Sequence, residues 1–217
     1  TFSYELEDAV HDGFLVPPKG KRVPFRFLLQ GITYDQLKAE EQAEYESKLT
    51  DGDGKMPRQV DPAALNRWLF NKDTVDKALH HLMQHGIKVD RGERLGKTII
   101  FARSVPHARF IVERFDHHYP NLVGKFARVV VSEDSFSEAL VDDFKEKDKQ
   151  PTIAVSVDML DTGVDVPEIV NLVFFKPVFS RVKFSQMLGR GTRPCLDLFG
   201  PGQHKTEFLV FDLCSVF

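Results

Sequence analysis

Two arginines three residues apart, Arg190 and Arg193, stand in the segment Gln186-Met187-Leu188-Gly189-Arg190-Gly191-Thr192-Arg193. A guanidinium is a planar fork of donors that suits phosphate oxygens. Placed correctly, it stabilises charge on a transferring phosphoryl group. The three-residue spacing predicts that both arginines share one side of a helical turn. Gly189 and Gly191 leave their surroundings uncrowded. A solvated basic face is the plain alternative. It does not explain why the glycines coincide with a stretch free of acids. From Ile169 to Leu196 there is no Asp or Glu, while Lys176, Arg181, Lys183, Arg190 and Arg193 are basic. The second segment with chemical content is Asp161-Thr162-Gly163-Val164-Asp165-Val166-Pro167. Gly163 permits close backbone approach, and Asp165 offers a carboxylate that can accept from a ribose hydroxyl. Alone, this segment reads equally well as a turn before a strand.

Other candidates fail on spacing. Gly96-Lys97-Thr98 suggests a phosphate-cradling loop, but such a loop needs a glycine at position 91, which is Arg91. The triplet also runs into a strand, where a phosphate loop opens a helix. No other segment supplies that loop or an acidic magnesium-holding box. His81 and His85 share a helix face as paired zinc ligands do, but lack accompanying ligands, so they read as a solvated face. Asp51-Gly52-Asp53-Gly54 lacks the distal Glu of a calcium loop, since position 62 is Pro. Cys195 and Cys214 have no partners at ligand spacing, and no metal site is expected.

The elements that must position these residues alternate. Lys97–Ala102 is a short β-branched run suited to a strand buried on both faces. Val105–Tyr119 reads as a helix capped by Ser104, with Ala108, Ile111, Val112 and Phe115 on one stripe. Strands follow at 126–131, 152–157, 169–175 and 207–213. Helices are expected at 135–149, with Phe136, Ala139, Leu140 and Phe144 inward, and at 184–190. This spacing predicts an α/β fold, a mostly parallel sheet with helices on both faces. In such sheets ligands bind outside the carboxyl ends of the strands. Arg103-Ser104, the 156–165 segment, Lys176 and Gln186–Arg193 are therefore the residues to examine.

Residues 1–95 are less regular and are expected to pack beside the sheet as a linker and α-rich helical extension, with 96–217 forming the sheet unit. A helix at 4–12 ended by Gly13, a strand at 23–29, a helix at 35–48 and helices from Asp61 to His85 are expected. The 217 residues carry 42% hydrophobic and 28% charged side chains, which is ordinary globular usage. No run is long enough to span a membrane. Two cysteines exclude a disulfide scaffold and fit a reducing compartment. The net charge of −3 gives no global basic excess for nucleic acid. A start at Thr1 suggests a piece of a longer polypeptide.

Taken together and in order, three segments resemble the second RecA-like domain of superfamily-two helicases and translocases. Thr98–Ser104 looks like motif IV, Val157–Pro167 like motif V, and Gln186–Arg193 like motif VI in its Q-x-x-G-R-x-x-R form. The wording of motifs V and VI is most similar to the motor (R) subunit of type I restriction enzymes. Tyr4–Leu15 is similar to the segment that follows the first motor domain there. The resemblance implies half of an ATP site, with the phosphate loop and magnesium box on a first RecA-like domain. It implies that Arg193 is the finger on the γ-phosphate and Arg190 a second phosphate contact. Gln186, Gly163 and Asp165 then lie at the nucleotide, and Arg103, Ser104 and Thr162 at the nucleic-acid backbone. Thr162 departs from the arginine of the RNA-helicase branch. The implied cofactors are ATP and magnesium. The implied partners are double-stranded DNA, the first RecA-like domain, and methylation and specificity subunits, in a cytoplasmic setting. A repair or remodelling helicase and a non-catalytic RecA-like interaction module are the alternatives.

Overall fold

The computed structural model describes residues 6–22, 32–33, 59–60, 71–161, 163–176, 178 and 180–214. The first part of the chain holds α1 (Leu6–His11), β1 (Pro18–Arg22), and the two-residue strands β2 (Ile32–Thr33) and β3 (Gln59–Val60). It continues with α2 (Lys72–His85), β4 (Lys88–Val89) and β5 (Arg94–Leu95). Then come β6 (Lys97–Ala102), α3 (Val105–His118), β7 (Ala127–Val130), α4 (Ser137–Lys145) and β8 (Ile153–Ser156). The series ends with β9 (Ile169–Phe175), α5 (Arg181–Leu188) and β10 (Phe208–Asp212).

Six strands form one sheet in the order β1-β10-β9-β6-β8-β7, with every pairing parallel. The expected parallel α/β architecture is borne out. The strand period of two sends alternate residues to opposite faces. Ile99, Phe101, Leu172 and Phe174 pack with Val141, Phe144 and Met187 of α4 and α5. Ile100, Ala102, Val173 and Phe175 pack with Leu79 and Leu82 of α2 and with Ile111 and Phe115 of α3. Each large apolar side chain buried this way contributes roughly 1.5–3 kcal/mol. Helices thus cover both faces, and β6 is buried throughout its length.

Capping sets the helix starts. The Ser104 side chain accepts from the His107 amide at 3.4 Å, and Asn71 Oδ1 accepts from the Thr74 amide at 2.9 Å. Gly13 ends the first helix with φ 78°, a value that glycine adopts without steric cost. Lys97 begins a strand, as its spacing implied; its amine donates to the carbonyls of Lys149 (2.7 Å) and Pro151 (3.0 Å).

Three readings are corrected. The inward stripe of α4 is Ser137, Val141 and Phe144, with Phe136 71% exposed and Ala139 in solvent. Of the expected stripe, Phe144 is buried and Leu140 packs against the same core, whereas Phe136 stays outside as the N-cap and Ala139 faces solvent. Second, α5 runs over Arg181–Leu188, so both site arginines lie beyond it and share no helical turn. Ser180 caps it early by accepting from the Lys183 amide at 3.3 Å, and Gly189 ends it. Third, β1 was not expected. Its sequence, PKGKR, has no strand signal, yet it pairs along the sheet edge. An edge strand tolerates proline at its first residue and favours lysines. The expected boundary at 95/96 falls between β5 and β6. Both β1 and α2 lie before it and belong to the same sheet and core. The expected strand at 23–29, the helix at 35–48, the 51–54 loop and the Asp61 cap lie outside the described residues.

Candidate functional site

At the end of β8 the Ser156 hydroxyl accepts from the Leu160 amide at 3.1 Å and turns the chain. Asp158 adopts φ 59° within that turn. The turn places two carboxylates against two lysines. Asp161, whose side chain is 4% exposed, meets Lys176 Nζ at 3.0 Å and Lys183 Nζ at 3.3 Å. The outer Asp158 meets the same amines at 3.1 and 2.7 Å. Lys176 follows β9 and Lys183 lies on α5. The cluster therefore ties the loop after β8 to the strand beside it and to the helix leading to the arginines. The sequence marked Lys176 and the Asp161 segment for attention but gave neither Asp158 nor Lys183 a role. A signal was present: lysines in an acid-free stretch must find their carboxylates elsewhere.

The Lys183 and Lys176 amines beside Asp158 hold its carboxyl at about 2, below the ordinary 3.8, although partial burial works in the opposite direction. The unfolded chain protonates near 3.8 and the folded chain near 2, so the contribution is complete above about pH 4 and is lost on acidifying towards pH 2. Asp158→Asn keeps the left-handed backbone accessible. It is expected to melt below the parent at pH 6 and to converge with it near pH 2. Thermal melts across that range check this; a gap independent of pH would contradict it.

Beyond α5 the backbone folds tightly. Arg190 is half-buried: Nη1 donates to the Val164 carbonyl and Nε to the Gln186 carbonyl at 3.3 Å. Burial holds its pKa below the ordinary value. Arg193 is exposed and meets Asp165 Oδ1 through Nε at 3.1 Å. Gly163 adopts φ 78° with open space on its Cβ side. Gln186 is exposed on the last turn of α5. The structure thus brings Arg190, Arg193 and the 164–165 backbone together. Arg190 faces a carbonyl that it pins, whereas Arg193 presents its guanidinium outward.

The arginine loop does not sit at the carboxyl edge of the sheet, where the strand-end rule looked for it. Gly191 lies against Phe208, the first residue of β10, so that a Cβ there would run into the ring. Arg103 and Ser104 do occupy the carboxyl end of β6, next to the carboxyl end of β8. Arg103 is exposed, and its backbone amide donates to His107 Nδ1 at 3.2 Å. Thr162 lies outside the described residues. Two sites result: a strand-end edge carrying Arg103, Ser104, Asp158 and Lys176, and an arginine loop beside the start of β10. The 157–167 segment and α5 both run between them. The His81 and His85 rings lie 4.4 Å apart and tilted on α2, with His81 edge-on to Phe211. Among the described residues no group of three or more His, Cys, Asp or Glu is placed to hold a metal ion.

The family described as the helicase conserved C-terminal domain matches residues 75–195, more than half of the chain. The chain belongs to that family. The likeness drawn from motifs IV, V and VI is borne out also by two curated relatives of this helicase C-terminal domain. The endonuclease subunit of the type I restriction enzyme EcoKI from Escherichia coli K12 is 29% identical, covering 100% of this chain and 18% of the subunit. That of EcoAI from Escherichia coli is 28% identical, covering 88% and 23%. The domain thus spans about a fifth of the length of these relatives. Its fold is that of a solved fragment of an HsdR subunit of a type I restriction enzyme from Vibrio vulnificus YJ016. That fragment has TM-score 0.61 and 22% identity, with 94% of this chain and 33% of that one covered.

Proposed function

We propose that this chain is the second motor domain of an ATP-dependent double-strand DNA translocase, within the R subunit of a type I restriction enzyme. The observation that carries the reading is the exposed Arg193 guanidinium. It is held by a single-charge carboxylate, on a loop whose neighbour Arg190 is fastened to the motif V backbone. An exposed ion pair of this kind is worth about 0–1 kcal/mol, so a phosphate can displace Asp165 with little loss.

The residues fit ATP as a half-site. ATP with its magnesium ion, held mainly by the first RecA-like domain, supplies the phosphoryl group that is transferred to water. Arg193 turns from Asp165 towards the γ-phosphate oxygens and neutralises charge there. Asp165, released, and Gly163 lie where a ribose or its water shell approaches, and Gln186 reaches the same region. Arg190 keeps Val164 and the loop in register and adds a second positive charge. Arg103, Ser104 and Thr162 contact the DNA backbone. Such contacts are mostly to phosphate, and so independent of sequence and weakened by salt. In this reading the motor unit is built on residues 96–217 and is completed by β1 and α2 from the earlier part of the chain. The partners are double-stranded DNA, the first RecA-like domain, and methylation and specificity subunits in the cytoplasm.

A direct test mixes this chain alone with ATP, magnesium and linear duplex DNA. No turnover is expected, because the chain contains no Gly-x-x-x-x-Gly-Lys-Ser/Thr sequence. Steady hydrolysis by pure protein would remove the half-site reading.

A further inference from the structure

The segment from Phe14 to Pro17 is fastened to the arginine loop. The Val16 amide donates to the Thr192 carbonyl at 2.8 Å, and the Phe208 amide donates to the Pro17 carbonyl at 3.3 Å. The Val16 side chain is 7% exposed and packs in the same core cluster as Met187, Leu188 and Phe208. Gly191 sits directly against the Phe208 ring, where a Cβ would clash. Residues 191–192 thus contact both this strap and β10, and the next residue is Arg193. The strap is also hydrogen-bonded on its upstream side. The amides of Phe14 and Leu15 both donate to the Ala9 carbonyl, at 2.9 and 3.1 Å, and Ala9 is buried. The strap is thus tied by backbone hydrogen bonds to α1 on one side and to the arginine loop on the other.

We propose that Val16 is a positioning residue for the arginine loop: the strap at 14–17 sets where Arg193 stands, and passes to it the position of the chain that enters this domain. The proposal rests on the reading of Arg193 as a phosphate contact. It assigns the strap a role that packing alone would not require. A backbone hydrogen bond from a segment outside the motif holds the residue immediately before the arginine. By the resemblance of residues 4–15, the entering chain comes from the first motor domain. Closure of the two domains on ATP would then draw the strap and the arginine together.

The test uses the full-length protein that contains this chain, with turnover of ATP on linear duplex DNA. Val16→Pro removes the amide donor, while Val16→Ala keeps it and trims the packed side chain. Val16→Pro is expected to lower kcat about tenfold with KM for ATP unchanged, whereas Val16→Ala stays within about twofold at a comparable loss of melting temperature. Equal kcat for the two variants, or an effect on KM alone, would overturn the proposal. If Val16→Pro does not fold, amide exchange in the unaltered protein decides. Exchange at Val16 is expected to slow when ADP with beryllium fluoride is added, and unchanged exchange overturns the strap. Arg193→Ala is measured alongside. Normal turnover there removes the arginine reading, whereas a loss there with normal Val16→Pro removes the strap and leaves the arginine in place.

Discussion

Arg193→Ala, placed in the full-length protein, is expected to lower ATP turnover by roughly 10³-fold or more, with a modest loss of ATP affinity. The size follows from where the charge is needed. A finger acts on charge that develops as the phosphoryl group transfers, so its loss appears in kcat rather than in ground-state binding. The structure lets the effect be read cleanly. Arg193 and its partner Asp165 are both more than half exposed, so their pair adds little to stability and the variant should melt as the parent does. Arg193→Lys keeps the charge but loses the planar fork, and should recover only a small part of the turnover. Steady-state kinetics with a melting curve for each variant make the measurement. A folded Arg193→Ala protein with near-normal kcat would end the assignment.

Much of the fold was legible because burial on both faces leaves a plain mark. Lys97–Ala102 and Ile169–Phe175 read as largely apolar, β-branched runs and are β6 and β9 to the residue. Ser104 announced the start of α3, since a serine before an apolar stripe has few other uses. What failed to show was set by tertiary contact. β1 carries lysines, a glycine and a proline, and is a strand because β10 offers it an open edge. On α4 the expected Leu140 and Phe144 do face the core, but Phe136 and Ala139 do not, because the helix begins only at Ser137 and places Ser137 and Val141 inward instead. The site divides in the same way. The residue types that hold phosphate were visible at Arg190 and Arg193. The shared helical turn was not real, because Gly189 ends α5 before either arginine. The partners of Lys176 and Lys183 are 15 to 25 residues away and became visible only when the loop after β8 closed on them.

That inner pair makes the second large prediction. Lys176 and Asp161 have side chains 9% and 4% exposed, and they meet at 3.0 Å. Breaking such a pair from one side leaves a buried charge and costs about 3–5 kcal/mol. Lys183 remains 3.3 Å from Asp161 in Lys176→Met and softens the loss, so about 3 kcal/mol is expected there. Adding Asp161→Asn removes the stranded carboxylate. The double variant should therefore lose less than the two single losses added together, by an interaction energy of roughly 2 kcal/mol between the two sites. Denaturant melts of the two single variants and the double variant measure this. Strictly additive losses would mean that Lys183 alone satisfies Asp161. The same double variant separates stability from coupling. In it the loop after β8, β9 and α5 still pack, but the inner charge pair between that loop and β9 is gone. If that pair couples the strand-end edge carrying Arg103 and Ser104 to the loop carrying Arg193, the double variant, while still folded, loses stimulation of ATP turnover by duplex DNA. Full stimulation in a stable double variant would leave the 157–167 backbone, pinned by Arg190 at Val164, as the route between the two sites.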